Sequence, residues 1–80
     1  MKALNVGYNN AVSLEKVVAV INADSKPARR LKERAEREGR LVDATSGRKT
    51  RSCLITSSNH LVLCSLNNQT ILQRINEQRS

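Results

Sequence analysis

TRSCLITSSNHLVLCSL, residues 50–66, decides the fold. Two runs rich in β-branched and apolar residues, Thr50 to Thr56 and Leu61 to Leu66, flank the polar tetrapeptide Ser57-Ser58-Asn59-His60, which is the pattern of an antiparallel hairpin. A turn centred on Ser58-Asn59 makes Cys53 and Cys64 cross-strand neighbours. One face then holds Cys53, Ile55, Val62, Cys64 and Leu66. The other holds Leu54, Leu61 and Leu63 beside Ser52, Thr56 and Ser65. Apolar groups on both faces in a chain with only two helices predict that a sheet surface or edge packs against a second subunit.

Upstream of this hairpin, Ala3 to Val6 reads as a first strand. Gly7-Tyr8-Asn9-Asn10 reads as a turn, since Gly and Asn accept positive φ. A second strand is expected from Ser13 to Ile21; its run Val17 to Ile21 is apolar on both faces, which predicts a place inside the sheet. Asp24 or Ser25 caps a helix over 27–38, with Pro27 in its first turn and Gly39 just past its end. The helix has a narrow apolar stripe, Ala28, Leu31 and Ala35. Its remaining positions are charged, with Arg29/Glu33 and Lys32/Glu36 at i and i+4, and this reads as a solvated face rather than a DNA-reading helix. Leu41-Val42 is a short strand. Downstream, Asn67 caps a last helix, Leu66 and Ile71 have the spacing of a hydrophobic staple, and the helix is expected to end near Glu77, leaving 77–80 as a frayed tail. The fold class is α+β: a small, mostly antiparallel sheet with one central and one C-terminal helix.

Eighty residues make a single domain, near the size at which a lone core leaves little net stability and self-association becomes an expected remedy. The formal charge of +7 points to a polyanionic partner. No run approaches the roughly 20 apolar residues of a membrane span, and no signal-peptide pattern opens the chain, so a cytoplasmic, nucleoid-associated protein is expected. Two cysteines are too few for a disulfide scaffold or a zinc site and read as reduced core residues. Tyr8 is the only aromatic apart from His60, so the chain lacks a stacking platform for single strands. Duplex DNA is the expected partner.

The candidate contact is DATSGRKTR, Asp43 to Arg51, where Arg48, Lys49 and Arg51 surround a glycine and only Asp43 counters them. Cations there neutralise phosphates, and Thr50 offers a hydroxyl to phosphate oxygens. Asn9 and Asn10, in the nearby turn, are candidates to extend the footprint. The plainer readings are Arg51 paired with Asp43, Lys16 as an ordinary edge-strand charge beside Glu15, Asn9 and Asn10 as turn formers, and His60 as a surface turn residue. An enzyme is not expected. The chain has no glycine-rich phosphate cradle, Ser/His/Asp set or metal cluster, and Glu33, Glu36 and Glu38 read as matched by neighbouring cations, so neither cofactor nor small-molecule substrate is implied. The alternative is an RNA-binding or structural oligomeric module using the same basic surface.

NVGYNNAVSLEKVVAVI, RLVDATSGRKTRSCLI and NHLVLCSLNNQTILQRI together resemble the small bacterial regulators typified by extracellular matrix regulatory protein A, the Rem family, which controls biofilm genes. The most specific segment is DATSGRKTR, where the family shows Asp-Ala-Thr-x-Gly-Arg-Arg-Thr-Arg. The resemblance implies a DNA-binding transcriptional regulator, a fold likened to LytTR domains, and ring-like homo-oligomers presenting many basic loops. By position, the paired arginines of the family fall on Arg48 and Lys49, and a further basic residue falls on Lys16. Lysine at two of these places keeps the charge but loses the planar fork of arginine.

Overall fold

A computed structural model describes residues 2–79, and Ser80 of the expected tail lies outside the described residues. The strands are β1 (Ala3–Gly7), β2 (Asn10–Ser13), β3 (Val17–Asn22), β4 (Leu41–Asp43), β5 (Ser52–Thr56) and β6 (Leu61–Cys64), with helices α1 (Lys26–Arg37) and α2 (Asn68–Arg79). This is an α+β fold with two helices and two sheets. β1 and β2 form an antiparallel ribbon, and the larger sheet has the order β3-β5-β6-β4. β5 pairs antiparallel with both β3 and β6, whereas β4 pairs parallel with β6. Strands β3 and β4 therefore run the same way, with α1 crossing between them and the β5–β6 hairpin filling the gap, a split β-α-β unit.

α1 forms where its caps direct it. Ser25 Oγ accepts the Ala28 amide at 3.2 Å, and Ser25 rather than Asp24 is the N-cap. At the other end Gly39 and Arg40 donate their amides to Glu36 and Ala35 at 3.3 and 2.8 Å, closing the helix in a Schellman motif. Ala28, Leu31 and Ala35 pack on Cys53, Ile55, Leu61 and Leu63, which is one face of the sheet. The opposite face, carrying Leu54, Val62 and Cys64, packs on Leu4 and Val6 of β1 and on Ile71 and Ile75 of α2. α2 is capped as expected, the Thr70 amide reaching Asn67 Oδ1 at 2.8 Å, and runs to Arg79 rather than stopping near Glu77.

Four expectations are corrected. First, the hairpin pairs Cys53 with Leu63 and Ser52 with Cys64, one residue out of the expected register. The Asn59 amide donates to Thr56 O at 3.0 Å and Asn59 has φ 68, so the loop is a turn closed by a left-handed residue, leaving three residues, 57–59, between Thr56 and its partner His60. A slip of one flips alternate side chains. Cys53 and Cys64 consequently sit in different hydrophobic clusters on opposite faces, both buried and free. Second, both faces of the large sheet are covered by this chain's own elements, so the need for a partner to cover a face disappears. Third, the long second strand is broken by a 3-10 turn at Leu14–Lys16, and β3 is an edge strand rather than an internal one. A bulge between Val17 and Ala19 turns Val18 outward, 67% exposed, which blunts that edge. Fourth, the charges of α1 do not pair at i and i+4; among the described residues the ion pair is Arg40–Glu38 at the helix exit.

Candidate nucleic-acid interface

The basic loop hangs between two fixed points on β6. The Ala44 amide donates to Leu63 O at 2.9 Å, and the Arg51 amide donates to Cys64 O at 2.8 Å. The six residues between them bulge away from the sheet without leaving its end. Asp43 shapes the entry, because its Oδ1 accepts both the Thr45 amide at 2.9 Å and the Thr45 hydroxyl at 2.6 Å. These bonds, the hydroxyl first, hold the Asp43 carboxyl below the ordinary aspartate range. Thr45 itself is buried. A tight turn follows, in which the Arg48 amide donates to Thr45 O at 3.1 Å while Ser46 and Gly47 take φ of 54 and 80. Two successive left-handed residues define a type I′ turn, and Gly47 adopts its conformation without a Cβ penalty.

From this base Arg48, Lys49 and Arg51 are exposed and Thr50 is half-buried. Among the described residues none of the three cations forms an ion pair, so Arg51 is not paired with Asp43. The one acid of the loop, Asp43, is turned onto Thr45 and makes no ion pair with the three cations. A cluster of uncompensated cations on a rigid support is an anion-binding arrangement.

The β1–β2 hairpin reaches the same place. Its turn residues Tyr8 and Asn9 have φ of 54 and 66, again a type I′ turn. Asn10 Nδ2 donates to Ala44 O at 3.3 Å, tying the hairpin to the start of the basic loop. The Arg48 guanidinium lies over the Tyr8 ring, 3.8 Å from its centroid. Asn9, Asn10, Arg48, Lys49, Thr50 and Arg51 thus share one end of the molecule.

Lys16 does not join them. Its carbonyl accepts the Ser57 amide at 2.7 Å, which places it beyond the far end of β5 from Arg51, about 20 Å away at the rise of a strand. Its neighbour Glu15 is held by the Lys2 amide at 3.0 Å and by the Ser13 hydroxyl at 3.0 Å. The residue that sequence reasoning missed is Tyr8. An exposed aromatic inside a Gly-Tyr-Asn-Asn turn was its only signal, since no periodicity gives it a core role. Burial raises the Cys53 and Cys64 thiols above their ordinary range and keeps them neutral and poorly nucleophilic. Among the described residues no group of three side chains is arranged to hold a metal ion. Among the described residues no helix is long and apolar enough to cross a membrane.

The chain is 53% identical over 74 residues to a protein of Thermodesulfovibrio yellowstonii provisionally named a regulatory protein, covering 92% of this chain and 87% of that one. Similarly named proteins of Nitratidesulfovibrio vulgaris and Fervidobacterium nodosum are 52% and 50% identical, over 96% and 92% of this chain and 88% and 80% of theirs. Residues 3–75 match the family model described as extracellular matrix regulatory protein A-like, and the chain belongs to that family.

Proposed function

We propose that this chain is a DNA-binding transcriptional regulator of the extracellular-matrix or biofilm type, acting as a ring-like homo-oligomer in the cytoplasm and on the nucleoid, and that it is not an enzyme. A LytTR-like fold belongs to the same reading. The observation that carries it is the end-on loop with three exposed cations, Arg48, Lys49 and Arg51, none of which forms an ion pair among the described residues. Family membership supports the regulatory role. Support for a ring comes from the two edges of the large sheet. β3 and β4 are different surfaces, each with an exposed valine, Val18 and Val42, and a head-to-tail contact between unlike surfaces gives a ring where its rotation closes, rather than a twofold dimer.

A single loop binds weakly. Three phosphate contacts give a slope of about −2.7 in log K against log salt, and several loops held in register multiply the effective concentration, by ~10²-fold or more. The test is a mobility shift on duplex DNA with Arg48→Ala. Loss of the shift with an unchanged elution volume is expected; an intact oligomer that still binds removes this loop from the interface. Competition at matched salt completes the test, duplex DNA being expected to outcompete double-stranded RNA and an acidic polypeptide.

A further inference from the structure

Resting on that reading, we infer that Tyr8 is a positioning residue that acts through Arg48, its ring holding the guanidinium flat at the protein's tip so that an oriented fork, and not only a charge, meets the DNA. The backbone at Tyr8 is the first observation. A φ of 54 is uncommon for an aromatic residue, and Asn or Gly adopts it more readily. Strain of this kind persists where the surroundings impose it. Yet Tyr8 is 46% exposed, so core packing is not what retains it. Its ring contact is with Arg48.

The hairpin tip is also fixed without help from that contact. Asn10 is tied to Ala44 O, the Gly7 amide donates to Asn5 Oδ1 at 2.7 Å, and Gly7 packs against Leu66. The ring is therefore a platform already in place, and the guanidinium is what it orders. Only arginine suits it fully, because a planar cation stacks with its face and leaves the N–H edges free for phosphate or guanine. This separates Arg48 from its neighbour. This chain has arginine at the stacked position and Lys49 at the next, where among the described residues no aromatic ring is stacked on the side chain. The loop then offers one oriented fork and one mobile point charge.

The experiment compares Tyr8→Phe and Tyr8→Asn, each alone and with Arg48→Ala, in the assembled protein. Asn suits the left-handed backbone, so Y8N removes the ring without adding strain, and Y8F keeps the ring and serves as the rescue. Three quantities are read: duplex affinity at fixed salt, the melting temperature, and the relaxation of the Arg48 Nε–Hε group in the free protein. Y8N is expected to weaken binding about 2- to 5-fold per engaged loop, the size of an exposed cation–π contact, with the melting temperature unchanged or raised and the Nε–Hε group more mobile. Y8F is expected to match the parent, and Y8N to have no further effect once Arg48 is alanine. Equal losses from Y8N with and without Arg48 overturn the inference, as does unchanged Nε–Hε order with DNA binding intact. If Nε–Hε order follows the ring but the parent protein fails to bind duplex DNA, the DNA-binding reading falls first and takes the positioning role with it.

Discussion

Arg40 and Arg48 stand at opposite ends of the β5–β6 hairpin, each next to a turn with left-handed residues, and they have opposite fates. Arg40 donates through Nε to Glu38 Oε1 at 2.8 Å and through Nη1 to Asn59 O at 2.8 Å, and its amide closes the Schellman motif of α1. It is a clasp between the helix exit and the hairpin tip. Among the described residues Arg48 has no carboxylate or carbonyl to donate to, and it lies on an aromatic ring instead. An arginine becomes structural where acceptors surround it. It stays available to a partner where the nearby acid, here Asp43, is already committed to its own backbone.

Exchanging the roles gives the largest expected effects. Arg48→Ala should reduce duplex affinity of the oligomer by on the order of 10²-fold, since a weak contact is lost at every loop at once, and should leave the melting temperature where it was. Arg40→Ala should do the reverse. If Arg40→Ala lowers affinity as strongly as Arg48→Ala, the division between a structural and a binding end is wrong.

Next in size is Gly7→Ala, which attacks the platform of the binding end. Gly7 has φ 99, and a Cβ there would lie 3.3 Å from Leu66 Cγ. The substitution should cost about 1–2 kcal/mol from backbone strain, with a further loss where Leu66 has to shift. Denaturant unfolding measures the first part. Because the same turn carries Tyr8, affinity should fall alongside, by less than in Arg48→Ala.

The stability side of Arg40→Ala is smaller. Its ion pair with Glu38 is partly exposed and contributes little, so the loss is mainly the hydrogen bond to Asn59 O, about 0.5–1.5 kcal/mol. A domain of this size then loses roughly 4–8 °C of melting temperature per kcal/mol.

The two ends were unequally legible in the sequence. Local signals located α1 with a cap at Asp24 or Ser25 and its Gly39 exit, the N-cap of α2 at Asn67, and the Gly7–Asn10 turn, because each depends on residues within a few positions. The hairpin was found but misregistered, since Asn59 in the left-handed region adds an odd residue to the loop and composition does not distinguish a loop of three from one of four. β3 looked internal because its valines are apolar on both sides. Its edge position follows from α1 carrying the chain across to β4, which is a long-range fact. Within the site, the cations of DATSGRKTR were visible as a charge pattern, while the Tyr8–Arg48 stack joins residues forty positions apart. Lys16 was linked to the loop through resemblance alone, and the fold puts β5 between them.

The gentlest way to sharpen the comparison is pH, through Asp43. Its folded-state pKa lies below the unfolded value of about 3.9, so what its bonds to Thr45 contribute is fully present above that value. The contribution is lost only as pH falls through the lowered folded value. Between pH 5 and 8 the loop should therefore show no change in order, and any weakening of DNA binding over that range has to come from another group. On acidification, the Thr45 amide resonance, which reports the bond to Asp43 Oδ1, should titrate with a midpoint below that of an ordinary aspartate. Thr45→Val, which removes the hydroxyl donor but keeps the amide, should move that midpoint back upward, because the hydroxyl is the larger cause of the depression. A Thr45 midpoint at or above the ordinary value would mean that Thr45 does not hold the carboxylate, and an Asp43 free to turn onto Arg48, Lys49 or Arg51 as an ion pair would end the contrast with Arg40.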